Sequence, residues 1–390
     1  MMSSTFTLLL LYTTTARAFI LPLPVPHIPP VSSTEHAAGF GASSTSKKKT
    51  KKKPKSKSSI LDEIQVDDAP TQAPLTPKLD RFGLPIPTED DIFPPLTSDV
   101  VRVPVQENDG FSKEKIAEAI KNHQGINLSV FDDNGHSIHE ERSNSGTSSR
   151  WTLKMLHQDP PVFCVDNFFS DSDVDTYVSM IESNEGSSSA ENKDAVQMSS
   201  PTFSSSLSLS RRTSTTWFCK YKSVATLLAK AQRLLNLDDL KQIEEPQLVR
   251  YLTGQEFSWH YDEIPPNQLS NGGQRLATLL VYLNDVDAGG GTIFRDLKSP
   301  ISKSSKRNDD HNQLTVRPKR GRALVFFPAY KKDGTPDQRT LHKGEVAQDK
   351  KMIAQLWIHE REYHAVLPEG NFQSEAVDGV NKELARLGLH

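Results

Sequence analysis

Cysteine is nearly missing from this chain: 390 residues include two, Cys164 and Cys219. That excludes a disulfide framework and a cysteine-rich zinc site, and leaves room for one bridge at most. Any bound metal must draw on histidine and carboxylate ligands. Hydrophobic residues are also sparse, at 35%. A chain folded throughout carries more, so part of this one lacks the apolar content for a core. The net charge of -3 singles out no partner. No internal repeat is visible.

The N-terminus reads as an address. Phe6 to Tyr12 form an apolar run too short to span a bilayer, and Ala16-Arg17-Ala18 makes an A-x-A-like cleavage site. Residues 1–18 are therefore expected to be a signal peptide that sends the chain into the secretory pathway, to the endoplasmic reticulum or Golgi. Cleavage after Ala18 would expose Phe19. A signal peptide followed by Phe and a Ser/Thr/Lys-rich stretch, with Glu35 the one acid before Asp62, resembles the bipartite plastid-targeting presequences of diatom-like algae. A complex plastid is the alternative destination. The run Lys47–Lys57 also fits a nuclear-localisation patch or a solvated linker. Residues 60–110 turn acidic and Pro-rich, so 19–110 reads as a basic, then acidic, targeting and linker region. No transmembrane helix is expected in the mature chain.

Residues 111–158 form a small segment of uncertain role. "SKEKIAEAIKNH" after Ser112 has a short amphipathic helix pattern, and "LSVFDDNGHSIHEE" reads as a hairpin about Asn134-Gly135. His136 and His139 have ligand-like spacing, but a solvent-facing hairpin explains them.

From residue 160 the patterns strengthen. "VFCV" is an apolar strand. Ser170 with Asp173 three residues on marks a helix start, and Val174, Tyr177, Val178 and Ile181 follow at helical spacing. A Ser-rich tract over 186–210 reads as a loop. Val224, Leu227, Leu228, Ala231, Leu234 and Leu235 form one face of a second helix. Short β-branched and aromatic runs then dominate: "PQLVRYL", "EFSWHYD", "RLATLLVYLND", "GGGTIF", "RALVFFP" and "MIAQLWIHE". Helices followed by many strands predict a mainly β fold: a double-sheet jelly-roll barrel with flanking helices, against an ordinary sandwich.

Chemistry concentrates in that barrel. His260 and Asp262 are two apart, so a strand would point both to one face. Alone, they also fit two polar residues on a solvated strand. His342 follows about eighty residues later. Two histidines and a carboxylate form the facial triad of non-haem Fe(II) oxygenases, although zinc hydrolases use the same ligand types. Lys351 lies nine residues after His342 and shares strand parity with Ile353, Gln355 and Trp357. A cation facing into a barrel requires an anion, yet Lys350 and Lys351 also fit exposed turn lysines. Gly289-Gly290-Gly291 permits close backbone approach or a plain turn.

These stretches, in this order, resemble the prolyl 4-hydroxylases of the Fe(II)/2-oxoglutarate-dependent dioxygenase superfamily. The residues that carry the resemblance are "RTSTTWF", "QLVRYLTGQEFSWHYD", "RLATLLVYLNDVDAGGGTIF", "VRPKRGRALVFFPAYKKDGTPDQRTLHKGEV" and "KKMIAQLWIHE", within 160–362. Residues 363–390 are left as a C-terminal tail. The resemblance implies a double-stranded β-helix and a procollagen-proline 4-dioxygenase type of reaction. It implies Fe(II) held by His260, Asp262 and His342, with no catalytic residue beyond the metal centre. It implies 2-oxoglutarate held by Lys351 and Tyr251, with Thr292 and Trp357 lining its pocket, and Arg212 on a loop that closes over the peptide. It also implies ascorbate (vitamin C, L-ascorbic acid), a Pro-rich peptide or protein as substrate, and no nucleic-acid partner. It leaves the oligomeric state unknown. A lysyl or nucleic-acid hydroxylase of the same fold is the alternative. Lys351, where several such relatives carry Arg, favours the prolyl group. A non-catalytic binding module would show a broken triad, and no ligand is missing.

Three departures from the family pattern stand out. Glu345-Val346 replaces the usual Cys-Pro. The His342-to-Lys351 spacing is one residue short. The connection over 295–313 is long and polar.

Overall fold

The computed structural model describes residues 83–85, 88–96, 103–104, 111–121, 125–142, 148–186, 195–198, 212–299, 313–366 and 372–389. The expected signal peptide, the run Lys47–Lys57 and nearly all of the Ser-rich tract lie outside the described residues. No described helix is long and apolar enough to cross a membrane.

The first strands are β1 (Val103–Pro104), β2 (Glu141–Arg142), β3 (Ser148–Ser149), β4 (Thr152–Asp159), β5 (Val162–Asp166), β6 (Ala195–Met198), β7 (Thr215–Cys219) and β8 (Gln247–Tyr251). Then come β9 (Phe257–His260), β10 (Arg275–Tyr282), β11 (Thr292–Lys298), β12 (Gln313–Val316), β13 (Ala323–Phe326), β14 (His342–Gly344) and β15 (Lys351–His359). The helices are α1 (Glu89–Ile92), α2 (Lys113–Ala119), α3 (Asp171–Gly186), α4 (Ala225–Leu235) and α5 (Val377–Leu387).

Two antiparallel sheets make the barrel. The larger has nine strands in the order β1-β4-β5-β13-β10-β15-β8-β7-β6, and the smaller has four, β12-β11-β14-β9. This is the expected jelly roll. Strand alternation explains why the larger sheet reads as unbroken apolar runs. On β10, Ala277, Leu279 and Val281, with Leu283 just past its end, join the core beneath the helices, while Leu280 and Tyr282 join the core between the sheets. On β15, Met352, Ala354, Leu356 and Ile358 face the helices, and Ile353 faces the barrel. Both faces are covered, so period-two patterning vanishes. Each fully buried Leu, Ile, Val or Phe contributes about 1.5–3 kcal/mol.

The helices form as their sequences predict. Ser170 and Asp173 cap α3 reciprocally: each backbone N–H donates to the other's side chain, at 3.0 and 3.3 Å. The apolar face of α4 is buried along its length, and the helix stops at Asn236, which adopts the left-handed conformation (φ 51°). Lys230 of α4 is wholly buried. Its ammonium donates to Glu141 and Asp173, both at 2.6 Å, and to the Phe168 carbonyl at 3.0 Å. That cluster ties α4 to β2 and α3.

Three expectations need correction. The segment 111–158 is no separate unit: Ile116, Val130, Phe131, Trp151 and Leu153 are buried in the main core, and β4 pairs with β5. The hairpin within it is a tight turn at Gly135 closed by a single Phe131–Ser137 bridge; His136 is exposed. The stretch 363–390 is not a tail. Val380 and Leu387 of α5 are seven residues apart on one face and pack into the same core.

Candidate active site

Strand β9 pairs with β14 so that His260 stands opposite His342. Asp262 lies two residues beyond His260, past the end of β9 rather than on it as expected. It still reaches the same point. One ligand atom from each of His260, Asp262 and His342 falls within a 4.8 Å group, and all three residues are buried.

Their orientation is set by neighbours. His260 Nδ1 lies 2.7 Å from the Ser258 carbonyl, and His342 Nδ1 lies 3.0 Å from the Thr340 carbonyl. A carbonyl only accepts, so each Nδ1 carries the proton and each Nε2 keeps its lone pair. Those Nε2 atoms sit 3.7 and 3.8 Å from the Asp262 carboxylate. The Thr278 hydroxyl donates to Asp262 Oδ2 at 2.7 Å. Metal-binding imidazoles and carboxylates are held in this way by outer partners. The Phe257 ring stacks on His260 at 3.5 Å.

Electrostatics favour the ligand forms. Burial, then the neighbouring His342, pushes the His260 imidazole down to about 3, so it stays neutral. Burial pushes the Asp262 carboxyl up, but His342, His260 and the Thr278 hydrogen bond outweigh it and hold it below the usual carboxylate range. Two imidazoles and one carboxylate offer one nitrogen–nitrogen–oxygen face. That donor set suits Fe(II) and leaves coordination positions open for other ligands.

The same cavity runs to Lys351. Its lining includes His260, Asp262, His342, Tyr251, Thr292 and Lys351. Lys351 is the first residue of β15 and stands opposite Tyr251 of β8, so the shortened spacing after His342 is absorbed in the turn. It is 2% exposed. Among the described residues no carboxylate lies within salt-bridge distance of it. Its ammonium sits over the Tyr251 and Tyr282 rings, at 5.1 and 5.6 Å. Burial lowers its pKa to about 7, with Glu345 opposing. Lys350 is exposed beside Glu182.

Thr292 lines the cavity, its hydroxyl 2.8 Å from Tyr282. Trp357 is not part of that lining; its ring lies under the Arg275 guanidinium, 3.6 Å away. Arg212 bridges to Phe257 of β9 and lies over that ring at 5.0 Å.

Sequence reasoning missed Thr278, Arg275, Glu244 and His359. Strand parity could have found Thr278, which shares a face with Leu280. Arg275 escaped because the register shifts between Arg275 and Ala277. It donates to the Asp262 carbonyl at 3.2 Å and holds Glu244 with two bonds, while His359 Nε2 lies 2.9 Å from Glu244. Glu244 and Glu245, adjacent acids with no sequence signal of burial, are both buried.

Comparison with known proteins identifies the family. The sequence profile of the 2OG-Fe(II) oxygenase superfamily matches residues 246–359. Prolyl 4-hydroxylase 2 of Arabidopsis thaliana is 30% identical over 230 residues, spanning 56% of this chain and 74% of that protein. The chain belongs to the prolyl 4-hydroxylase family. Prolyl 4-hydroxylase 5 of the same plant is 36% identical over 123 residues, 30% of this chain and 42% of that protein. Among solved structures, the viral collagen prolyl hydroxylase of Paramecium bursaria Chlorella virus-1 is 24% identical, with a TM-score of 0.37 over 50% of this chain and 94% of that one. Family membership makes this protein an Fe(II)- and 2-oxoglutarate-dependent dioxygenase.

Proposed function

We propose that this enzyme hydroxylates peptidyl proline at C4 in Pro-rich protein segments, consuming O₂ and 2-oxoglutarate and releasing succinate and CO₂. The observation that carries the proposal is one cavity holding both a buried His-Asp-His group and a buried lysine with no carboxylate within salt-bridge distance among the described residues. His260, Asp262 and His342 would hold Fe(II). When bound with 2-oxoglutarate and O₂, the iron supplies the oxidant that exchanges a substrate C–H for C–OH.

The protein supplies binding and placement. Ser258 and Thr340 fix the imidazole tautomers, and Thr278 fixes the carboxylate. Lys351 takes the distal carboxylate of 2-oxoglutarate, with Tyr251 and Thr292 beside it. A charge-assisted bond there is worth roughly 1.5–3 kcal/mol. Burial by Leu280, Phe326 and Ile353 keeps water from the reacting centre. Arg212, over the Phe257 ring that lines the cavity, would meet the peptide. Ascorbate would restore iron oxidised in turnover without substrate. For the N-terminus the reading is secretory-pathway targeting, testable by the location of a fluorescent fusion of residues 1–60.

The test is mass spectrometry of Pro-rich peptides incubated with enzyme, Fe(II), 2-oxoglutarate and ascorbate. A product heavier by one oxygen, located to C4 of proline, supports the proposal. Oxygen on lysine or on a nucleic acid instead, with proline untouched, contradicts it.

A further inference from the structure

The triple-glycine loop and the Glu345-Val346 pair have no role in the reading above, and they meet at one place. Glu345 N–H donates to the Gly291 carbonyl at 2.8 Å, and Gly290 N–H donates to the Val346 carbonyl at 3.1 Å. Gly291 N–H donates to Glu345 Oε2 at 3.1 Å. Arg317, the residue after β12, donates to the same oxygen at 2.5 Å. Gly289 has φ +69°, and a Cβ there would lie 2.3 Å from the Val346 carbonyl, so only glycine lets the loop lie this close. The loop also runs beside Lys351: a Cβ on Gly290 would lie 3.4 Å from Lys351 Cδ, and one on Gly291 would lie 3.1 Å from Glu345 Oε2. Adjacent loop residues thus lie next to the lysine stem on one side and the Glu345–Arg317 pair on the other.

We propose that Glu345 and Arg317 set the affinity and pH range of the cosubstrate pocket, acting through Lys351 as positioning residues. Glu345 supports the Lys351 ammonium before 2-oxoglutarate arrives and opposes the distal carboxylate once it is bound. Arg317 moderates both effects. The inference rests on Lys351 binding that carboxylate.

Lys351 is faced by Tyr251 of β8, Tyr282 of β10 and the glycine loop. The Tyr282 hydroxyl is engaged with Thr292 and the Val316 carbonyl, and burial pushes its ionisation up. Among the described residues, Glu345 is the charged group that acts on Lys351, against the effect of burial. The sign of its effect follows from the protonation state. Below about pH 7 the ammonium is charged without ligand, so Glu345 adds only repulsion toward the incoming anion. Above that pH binding includes protonation of Lys351, and the support Glu345 gives the ammonium offsets the repulsion.

Glu345→Gln keeps an acceptor for Gly291 N–H and removes the charge. It should tighten 2-oxoglutarate by about three- to tenfold on the acid side. The gain should vanish on the alkaline side, and affinity should begin to fall at lower pH. Arg317→Gln uncovers Glu345 and should weaken 2-oxoglutarate by about two- to fivefold, less because the Arg317 side chain is 58% exposed.

The experiment is calorimetric titration of the full chain, loaded with Fe(II) under nitrogen, at about pH 6 and about pH 8.5. The probes are 2-oxoglutarate and 2-oxobutyrate, which lacks the distal carboxylate. The inference expects both substitutions to move 2-oxoglutarate in opposite directions while 2-oxobutyrate stays unchanged. Equal shifts for the two acids would assign Glu345 to loop shape and overturn it. So would no shift in Glu345→Gln. Lys351→Ala separates the failures. If that variant weakens 2-oxoglutarate while Glu345→Gln is silent, the inference alone falls. If it does not, the underlying assignment of Lys351 falls too.

Discussion

Lys230 and Lys351 are both shut away from water, at 0% and 2% exposure, yet their surroundings differ. Lys230, beneath the large sheet, meets two carboxylates at 2.6 Å and a carbonyl at 3.0 Å. Every proton of its ammonium has a partner, which is how a charge is normally buried. Lys351, between the sheets, has two tyrosine rings and no carboxylate within salt-bridge distance among the described residues. The first holds helices together; the second is the group proposed to receive an anion from outside. A buried ammonium without an anion is a cost to the fold, and such costs concentrate at binding sites.

The comparison breaks most sharply at the metal group. His260→Ala, Asp262→Ala or His342→Ala should each abolish 2-oxoglutarate decarboxylation, because two protein ligands do not fix a facial site. Thermal midpoints should shift little, since these side chains serve the barrel interior and not the helix-covered core. Near-normal turnover in any of the three would remove that residue from the ligand set.

Lys230→Ala should act on the opposite quantity. It leaves the buried Glu141 and Asp173 with the half-exposed Arg386, at 3.5 and 3.9 Å, as their remaining cation, so the cost is at most the about 3–5 kcal/mol of a broken buried pair. Denaturant unfolding should show the loss. Replacing both acids by their amides in that background should recover part of it.

Lys351→Ala should spare the fold and raise the KM for 2-oxoglutarate by about ten- to a hundredfold. It should also change the pH dependence of stability. The folded-state pKa is near 7, against 10.5 for an ordinary lysine. Between those values the unfolded chain binds more protons. Stability of the enzyme without cosubstrate therefore rises with pH across that window, by about 1.4 kcal/mol per pH unit from this group. Comparing wild type with Lys351→Ala in urea at several pH values isolates that slope, which the variant should lack.

Lys350→Ala should have the smallest effect. Its partner Glu182 is 3.5 Å away and both are exposed, so the pair is worth about 0–1 kcal/mol. A large rise in KM for 2-oxoglutarate in this variant would mean that the two lysines have exchanged roles.

The six main strands and the His260-x-Asp262 pair are legible because they depend on local order: a two-residue offset, an apolar run; the distant His342 joins them through the ordered motifs of the family resemblance. Parity leaves Lys350 and Lys351 both open, and the family resemblance singles out Lys351. Other features depend on what packs from far away. Ile116, Val130 and Phe131 sit in a short, polar-looking segment, and only the large sheet shows that they are core. A fragment beginning at residue 150 would lose all three. Trp357 keeps strand parity with Lys351 but is covered by Arg275, whose direction comes from a register shift that no residue pattern announces. Glu244 and Glu245 carry no sequence signal of burial; His359 and Tyr363, more than a hundred residues later, reach them.

Proton uptake on cosubstrate binding tests the role of Lys351 most directly. At about pH 8 most Lys351 should be neutral before 2-oxoglutarate binds and charged afterwards. Calorimetry of the Fe(II)-loaded chain under nitrogen, in buffers of different ionisation enthalpy, should give close to one proton taken up per 2-oxoglutarate bound, and none in Lys351→Ala. Tight binding to the wild type with no proton taken up would contradict the assignment of Lys351 as the anion's partner.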